Sequence, residues 1–275
     1  MSPLRTPSLA LAWAVALAAA ARAQAPEVVV SAVSEYASVR AGAPFRVAVR
    51  MQVPTGWHIG WINPGSSGLG TTLAWHLPAG VSGGATDWPF PETEEAGADV
   101  SNVYRGAVVL FSNFTAEPGI TGTIELSGEL SWGMCRVVCV QQHRTVTLDL
   151  PVARGMPSRT PAWAEAEAAT RLLPMRERGA AFEAARQEDG VRLAITGLKA
   201  GPAPGSWATF FPLEPGKRSV VAPVRAIAGG IALVLPLSAV SDSSPGRLNG
   251  VLVAAHAAGT PPPVRAIAVD APLPH

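Results

Sequence analysis

The sequence predicts a mainly β protein with two sandwich-like domains joined by a short helical linker. Its 275 residues include 27 glycines and 26 prolines, too many for a helical bundle and typical of short strands joined by turns. Apolar and polar residues alternate over much of the first half, as in half-buried strands. Hydrophobic residues make up 48% of the chain and charged residues 15%, with a net charge of +1, which excludes a disordered chain and a nucleic-acid-binding protein.

The N-terminus has the pattern of a secretory signal peptide. Arg5 precedes an unbroken apolar run over residues 9–21, and Ala21-Arg22-Ala23 has small residues at both positions that determine cleavage. The run is shorter than the roughly 20 residues that a transmembrane helix needs. We therefore predict that residues 1–23 are removed, that the mature chain begins at Gln24 in the periplasm, and that no segment spans the membrane.

Strands in the first half are predicted from period-two alternation. The pattern is clearest from Phe45 to Val53, where every second residue is apolar. Turn residues bound the other predicted strands, which are Trp57 to Ile62, Thr71 to Trp75 and Val103 to Phe114. Turns at this spacing are typical of a β-sandwich, which we predict over residues 24–153.

A change of pattern marks the linker. Thr160 is a predicted N-cap, Pro161 the first helical residue, and the helix runs from Ala162 to Leu173 before Pro174 ends it. A second Ala/Glu/Arg-rich stretch follows from Met175 to Glu188, so we predict helical segments within a linker of residues 154–190. Because the connector near Arg154 to Thr160 is polar and rich in small residues, we expect residues 24–155 to fold alone.

Strands return after the linker and predict a second β-rich domain over residues 191–275. They are Val191 to Leu198, Ala208 to Phe211, Ser219 to Ala226, Ile231 to Leu237, Arg247 to Ala255 and Val264 to Val269.

The chain has two cysteines, and they lie at the neighbouring ends of two predicted strands. Trp132 and Met134 share the apolar face of the first strand, which places Cys135 on its polar face, and Cys139 lies on the polar face of the second. A three-residue hairpin loop over residues 136–138 would place the two Cβ atoms about 5 Å apart. In an exported protein, such a pair can close into a disulfide and open again.

The residues leave two interpretations of this pair open: an inert disulfide in a structural adaptor, or a redox-active pair. A loop closed by three residues removes little entropy from the unfolded chain, so it is an inefficient staple. Arg136, with His143 and Arg144 nearby, supplies positive charge that favours the reactive thiolate. These observations favour a redox pair of Cys135 and Cys139, tuned by Arg136 and His143.

A third interpretation is a periplasmic copper or zinc carrier. Cys135, Cys139 and His143 repeat at intervals of four, which on a helix would form a one-faced metal site, with Met134 as a soft fourth ligand. The strand periodicity argues against a helix and ranks this site lower. His58 is a further candidate for tuning the thiols, beside the alternative that the sandwich simply buries it and satisfies its hydrogen bonds.

Several stretches resemble the periplasmic N-terminal domain of the thiol:disulfide interchange proteins of the DsbD and ScsB type. The resemblance extends over roughly residues 27–152, and residues 208–273 are more loosely similar to the segment that follows in ScsB-like proteins. The stretches that carry it are Trp57-His58-Ile59-Gly60-Trp61-Ile62-Asn63-Pro64-Gly65-Ser66-Ser67-Gly68-Leu69, Trp75-His76-Leu77-Pro78, Trp88-Pro89-Phe90-Pro91 and Trp132-Gly133-Met134-Cys135-Arg136-Val137-Val138-Cys139.

This resemblance implies an immunoglobulin-like sandwich that relays electrons through Cys135 and Cys139. It implies a thioredoxin-like protein or a membrane-embedded thiol reductase as one partner and periplasmic proteins with disulfides as clients, with no cofactor. The chain would then be a protein-disulfide reductase or a component of a thiol–disulfide oxidoreductase. By the same analogy, Cys139 is the attacking thiol, Cys135 resolves the mixed disulfide, and Phe90 and Tyr104 lie on a loop that caps the pair.

Overall fold

The computed structural model describes residues 26–199, 202–240, 246–254 and 266–274. The predicted signal peptide, residues 1–23, lies outside these residues. Within them, no helix has both the length and the apolar character needed to cross a membrane.

The first half of the chain forms two facing antiparallel sheets, which confirms the predicted sandwich. Its strands are β1 Val29–Ser34, β2 Val39–Arg40, β3 Pro44–Gln52, β4 His58–Gly65, β5 Thr72–His76, β6 Val81–Asp87, β7 Glu92–Ala96, β8 Asp99–Tyr104, β9 Ala107–Ala116, β10 Thr123–Cys135 and β11 Cys139–Ala153. One sheet has the order β1-β3-β9-β6 and the other β2-β11-β10-β4-β8-β7, with β5 also paired to β10. The short strand β2 is the exception, since it pairs with β11 in parallel.

Two details of the first half refine the sequence prediction. Strand β3 buries Phe45, Val47 and Met51 as its alternation predicts. The single strand predicted from Val103 to Phe114 is instead divided into β8 and β9, because Gly106 makes a turn there with a φ of 63°.

The linker contains one α-helix, α1, at Trp163–Ala169, which continues as a 3-10 turn at Thr170–Leu172. Its position confirms the predicted helix, but Thr160 is not the N-cap: Ala162 holds that position, and the Thr160 carbonyl instead accepts a hydrogen bond from the Trp163 backbone N–H at 2.9 Å. Trp163 is buried against Phe111 of β9, with ring centroids 6.0 Å apart. The helix is therefore packed onto the outer face of the first sandwich.

The prediction of a second helical stretch from Met175 to Glu188 is wrong. Strand β12 occupies Ala181–Gln187 and pairs with β13, Gly190–Thr196, along its full length. Ala184 is buried and Phe182 partly buried against the core of the second half. Tertiary pairing and burial thus override the helix propensity of these residues.

The second half forms two further sheets, each of four strands, and its predicted strands are confirmed where the structure describes them, with one exception. The single strand predicted from Ser219 to Ala226 is divided into β15, which pairs with β14, and β16, which pairs with β17 in the other sheet. The remaining strands are β14 Trp207–Pro212, β15 Val220–Pro223, β16 Arg225–Ile227, β17 Gly230–Leu235, β18 Arg247–Ala254 and β19 Ala266–Pro272. The sheets have the orders β12-β13-β17-β16 and β15-β14-β18-β19. Leu193, Phe210 and Leu252 are among the buried residues between them.

The two sandwiches pack against each other through apolar side chains. Phe211 and Val251 of the second sandwich belong to the same hydrophobic cluster as Ile59 and Trp61 of the first. The rings of Trp61 and Phe211 meet edge to face with centroids 6.1 Å apart. The middle of β4 therefore lies at the junction between the two halves, and its first residue, His58, is opposite Cys135.

Candidate redox site

The two cysteines form a disulfide at the end of the β10–β11 hairpin. Cys135 is the last residue of β10 and Cys139 the first of β11, and the two are direct partners in the strand register. Their Cα atoms are 4.1 Å apart. Residues 136–138 form the predicted three-residue loop, in which the Arg136 N–H donates to the Val138 carbonyl at 3.3 Å.

The two sulfurs differ in their environment. Cys135 is only 8% exposed, whereas Cys139 is exposed. The face of β10 that carries Cys135 is therefore covered at this end of the strand and not open to solvent. At this end of β10 the strand gains β4 as a second neighbour, with Cys135 opposite His58. The extra strand on that side excludes solvent from Cys135 but leaves Cys139 open.

The segment of residues 64–69, called here the 64–69 loop, comprises the last two residues of β4 and the four residues after it, and it lines a small cavity beside the disulfide. The cavity has a volume of about 50 Å³, and its walls include both cysteines, His58 and Asn102. Leu69 reaches Gly133 of β10, whose N–H donates to the Leu69 carbonyl at 3.3 Å. A Cβ atom on Gly133 would lie 2.8 Å from the Leu69 Cβ, so glycine permits this approach next to the redox pair.

His58 lies beside the disulfide, as its candidate role requires. Its Nδ1 is 2.9 Å from Glu94 Oε2, and Glu94 also pairs with Arg105. Burial lowers the pKa of His58 below its ordinary value; Glu94 opposes this shift and Arg105 adds to it. The neutral imidazole is therefore favoured, with one ring nitrogen held by a carboxylate.

Phe90 and Tyr104 do not line the disulfide cavity. The Tyr104 hydroxyl donates to the Pro89 carbonyl at 2.6 Å, and its burial raises the pKa of Tyr104 well above the ordinary value. Phe90 packs against the main hydrophobic cluster. The segment that lies beside the cysteines is the 64–69 loop, which the sequence marks only through the stretch from Trp57 to Leu69 that carries the family resemblance.

The proposed metal ligands do not come together. His143 is exposed on β11, four residues from Cys139, which is about 13 Å along a strand. Within the described segments, no three His, Cys, Asp or Glu side chains lie close enough to hold a metal ion. The Cys135, Cys139 and His143 site is therefore wrong in geometry, and His143 is also too distant to act directly on the sulfurs.

An exposed apolar surface surrounds Cys139, and the sequence did not predict it. Val137 is 93% exposed and Val138 67% exposed in the loop, with Val140 and Leu69 also open to solvent. Arg136 is exposed in the same loop. Exposed apolar side chains that cluster around the accessible sulfur are typical of surfaces that bind a partner.

Together, the sandwich fold and the hairpin disulfide define a β-sandwich protein with one accessible sulfur in a closed cysteine pair. Residues 26–151 match the family described as thiol:disulfide interchange protein DsbD, N-terminal. This part of the chain is a DsbD-type N-terminal domain.

The fold extends the similarity over both sandwiches. The N-terminal periplasmic domain of ScsB from Proteus mirabilis is similar at a TM-score of 0.58 and 16% identity, over 91% of this chain and 95% of that chain. The major pilin subunit BcpA of Bacillus cereus, as its D312A variant, reaches a TM-score of only 0.30 at 8% identity, over 83% and 59% of the two chains, too weak to bear on fold or function. No curated protein matches the sequence significantly.

Proposed function

We propose that the protein exchanges disulfides in the periplasm through Cys135 and Cys139. It relays electrons between a thioredoxin-like protein or membrane-embedded thiol reductase and periplasmic client proteins that carry disulfides. The observation that carries this proposal is the asymmetry of the pair: within a DsbD-type domain, Cys139 is exposed while Cys135 is shielded. An exchange reaction needs one sulfur that a partner can attack and a second that is kept from side reactions.

The chemistry is a pair of thiol–disulfide exchanges. A partner thiolate attacks the Cys139 sulfur, the bond between Cys139 and Cys135 breaks, and Cys135 leaves as a thiolate that takes up a proton. A second partner thiolate then attacks the partner's own sulfur in the mixed disulfide and releases Cys139. The partner is oxidised by two electrons and this chain is reduced; reaction with a client's disulfide runs the same steps in reverse.

Charged and titratable groups at the site fit these steps. Arg136 is adjacent to Cys135 in the chain, and its positive charge stabilises a thiolate on either sulfur. His58 lines the cavity with both cysteines and is favoured in its neutral form, so it accepts the proton of a Cys135 thiol. Glu94 holds the His58 ring through its Nδ1, 2.9 Å from Oε2.

Location is part of the proposal. The ScsB structure, which is similar in fold, is a periplasmic domain, and residues 1–23 have the pattern of a signal peptide. N-terminal sequencing of the exported protein tests this point: we expect Gln24 as the first residue, and an intact Met1 on exported protein would contradict it.

Reduction by a thioredoxin tests the function. The folded, oxidised full chain is mixed with reduced thioredoxin, quenched with an alkylating reagent, and analysed by mass spectrometry. We expect both cysteines to become alkylated, with no gain in the Cys135→Ser/Cys139→Ser control. If the disulfide stays closed while the same thioredoxin reduces insulin, the pair is an inert staple and the proposal fails.

A further inference from the structure

Asn63, at the end of β4, joins the second sandwich to the disulfide site. Its side chain is fully buried. Its Nδ2 donates to the carbonyl of Pro212, the last residue of β14, at 2.8 Å and to that of Lys217, in the turn after β14, at 2.9 Å. Its Oδ1 accepts from the N–H groups of Gly65 at 3.0 Å and Gly216 at 3.1 Å. Every hydrogen-bonding position of this amide is therefore used, three of the four by the second sandwich.

The backbone of Asn63 continues the connection towards the cysteines. Its carbonyl accepts a hydrogen bond from Asn102 Nδ2 at 2.9 Å. Asn102 is fully buried and lines the cavity beside Cys135 and Cys139. A continuous set of polar contacts thus runs from the turn of the second sandwich through Asn63 and Asn102 to the redox cavity.

Asn63 also fixes the start of the 64–69 loop. Its Oδ1 holds the Gly65 N–H, and the next residue, Ser66, donates its N–H to the Val100 carbonyl at 3.0 Å. The far end of the loop rests on β10 through Leu69 and Gly133. Between these two anchors the loop lines the cavity. Only the anchor at Asn63 includes contacts from the second sandwich; the anchor at Leu69 does not.

We infer that Asn63 is a positioning residue through which the second sandwich holds the 64–69 loop beside Cys135, so that a partner reaches Cys139 and not Cys135. This inference deepens the proposed function and rests on it for its biological meaning. The second sandwich then determines which sulfur is accessible, although it contributes no residue to the disulfide. Its role is to keep one thiol of the reduced pair protected.

The physical basis is the cost of leaving buried polar groups without partners. Truncation of Asn63 leaves the carbonyls of Pro212 and Lys217 and the N–H of Gly216 unpaired, so the turn and the loop separate to let water reach them. Separation at this anchor releases the loop from Cys135. A merely structural role would lower the stability of the whole protein but leave the relative exposure of the two thiols in folded molecules unchanged.

The test measures the labelling rate of each thiol separately. The full chain is reduced, kept folded, and pulsed with iodoacetamide, and mass spectrometry quantifies modification at Cys135 and Cys139. In the wild type we expect Cys139 to react about tenfold or more faster than Cys135, as its exposure implies. In Asn63→Ala the ratio should fall by about tenfold through faster labelling of Cys135, in line with the loss of buried hydrogen bonds.

Arg218→Ala is the matched control. Arg218 donates to the Ala98 carbonyl at 2.8 Å, so it crosses between the same two halves without touching the loop or Asn63. We expect this variant to keep the wild-type ratio. A folded Asn63→Ala with an unchanged ratio, or an equal change in Arg218→Ala, would overturn the inference.

Two features keep the test decisive. If Asn63→Ala does not fold, Asn63→Ser replaces it, because its hydroxyl can still hold Gly65 but cannot span to Pro212 and Lys217; the same ratio is read. The measurement also uses no redox partner. An unchanged labelling ratio would therefore contradict the role of Asn63 but not the proposed disulfide exchange. Failure of thioredoxin to reduce the protein would contradict the proposed exchange but not the result of the labelling experiment.

Discussion

Cys135 and Cys139 face each other across a single hairpin, yet only Cys139 is exposed to solvent. Their Cα atoms are 4.1 Å apart, but β4 flanks Cys135 on one side and the 64–69 loop lines the adjoining cavity. Cys139 begins β11 next to an open loop. Under the proposed function, we therefore expect Cys139 to react with a partner before Cys135.

The first prediction concerns trapping of a mixed disulfide. Because Cys139 is the accessible sulfur, Cys135→Ser should accumulate an adduct with a thioredoxin-like protein that dithiothreitol releases, since the resolving thiol is gone. Cys139→Ser leaves only the shielded Cys135 and should trap little. Non-reducing gel electrophoresis with mass spectrometry of the adduct measures both, and preferential trapping by Cys139→Ser would reverse the assigned order.

Stability measurements separate this outcome from the inert-disulfide alternative. Closing so short a loop stabilises a fold by about 2 kcal/mol in the chain-entropy model, so both single variants should lose about that much in urea unfolding. A stapling disulfide gives this loss and no specific adduct. The redox pair gives the loss together with a trapped partner in one variant only.

The second prediction concerns the exposed valines beside Cys139. A partner that reaches this sulfur must cover Val137 and Val138, and burial of both side chains contributes to its binding. Val137→Ser/Val138→Ser should slow reduction by thioredoxin about tenfold or more and leave reduction by dithiothreitol unchanged, because the small thiol needs no docking surface. Stopped-flow or quenched alkylation measures the two rates.

Val221→Ser is the control for surface polarity. Val221 is an exposed valine on β15 of the second sandwich and lies far along the chain from the hairpin. It should leave both rates unchanged. Equal slowing of the thioredoxin and dithiothreitol reactions in the double variant would mean that the valines act on the disulfide itself and are not a docking surface.

The hairpin and the disulfide could be predicted from the sequence because they depend on local patterns. Strand alternation around Trp132 and Met134 predicted the apolar and polar faces of β10, and the spacing of the cysteines predicted the three-residue loop between them. The burial of Cys135 could not be predicted, since it depends on β4 and on Leu69, more than 60 residues earlier in the chain. For the same reason Phe90 and Tyr104, expected beside the cysteines, pack elsewhere.

Local pattern also misled where tertiary pairing decides the conformation. Residues 181–187 have good helix formers, but they complete a sheet by pairing with β13. The role of Asn63 had no sequence signal beyond its place before Pro64, because its partners are backbone groups more than 140 residues away. Contacts of this kind appear only once both sandwiches are in place.

The third prediction concerns His58 and pH. Burial lowers the pKa of His58 in the folded protein, so the unfolded chain binds more protons between the folded pKa and the ordinary value of 6.5. The contribution of His58 to the free energy of unfolding is therefore fully present above pH 6.5 and is lost as the pH falls towards the folded pKa. Urea unfolding between pH 5 and 8 should show this loss in the wild type and a smaller one in His58→Gln.

His143→Gln is the matched control, because His143 is exposed on the same sheet and distant from Glu94 and Arg105. Its pH profile should follow the wild type. Oxidation of the reduced protein by a small disulfide provides a second readout: if His58 accepts the proton of the Cys135 thiol, the pH dependence of this rate should change in His58→Gln but not in His143→Gln. Identical profiles for all three proteins would remove His58 from the mechanism.

The fourth prediction concerns the fragment of residues 24–155. It retains the two facing sheets and the part of the core around Phe45, Phe114 and Leu126, so we expect cooperative unfolding of the isolated fragment. It also exposes part of Trp61, which the full chain buries against Phe211, so the fragment loses the stabilisation that this apolar burial supplies. The urea midpoint should therefore be clearly lower than that of the full chain.

Phe211→Ala in the full chain isolates the packing contribution, since it removes the ring against Trp61 and keeps the partners of Asn63. If the fragment differed from the full chain only by the lost packing against Trp61, the ratio of Cys139 to Cys135 labelling rates would be the same in the fragment and in Phe211→Ala. The fragment also lacks the turn that holds Asn63, so its Cys135 should label faster than in Phe211→Ala. A fragment without cooperative unfolding would instead show that the two halves share one core, and the predicted boundary near residues 154–160 would be wrong.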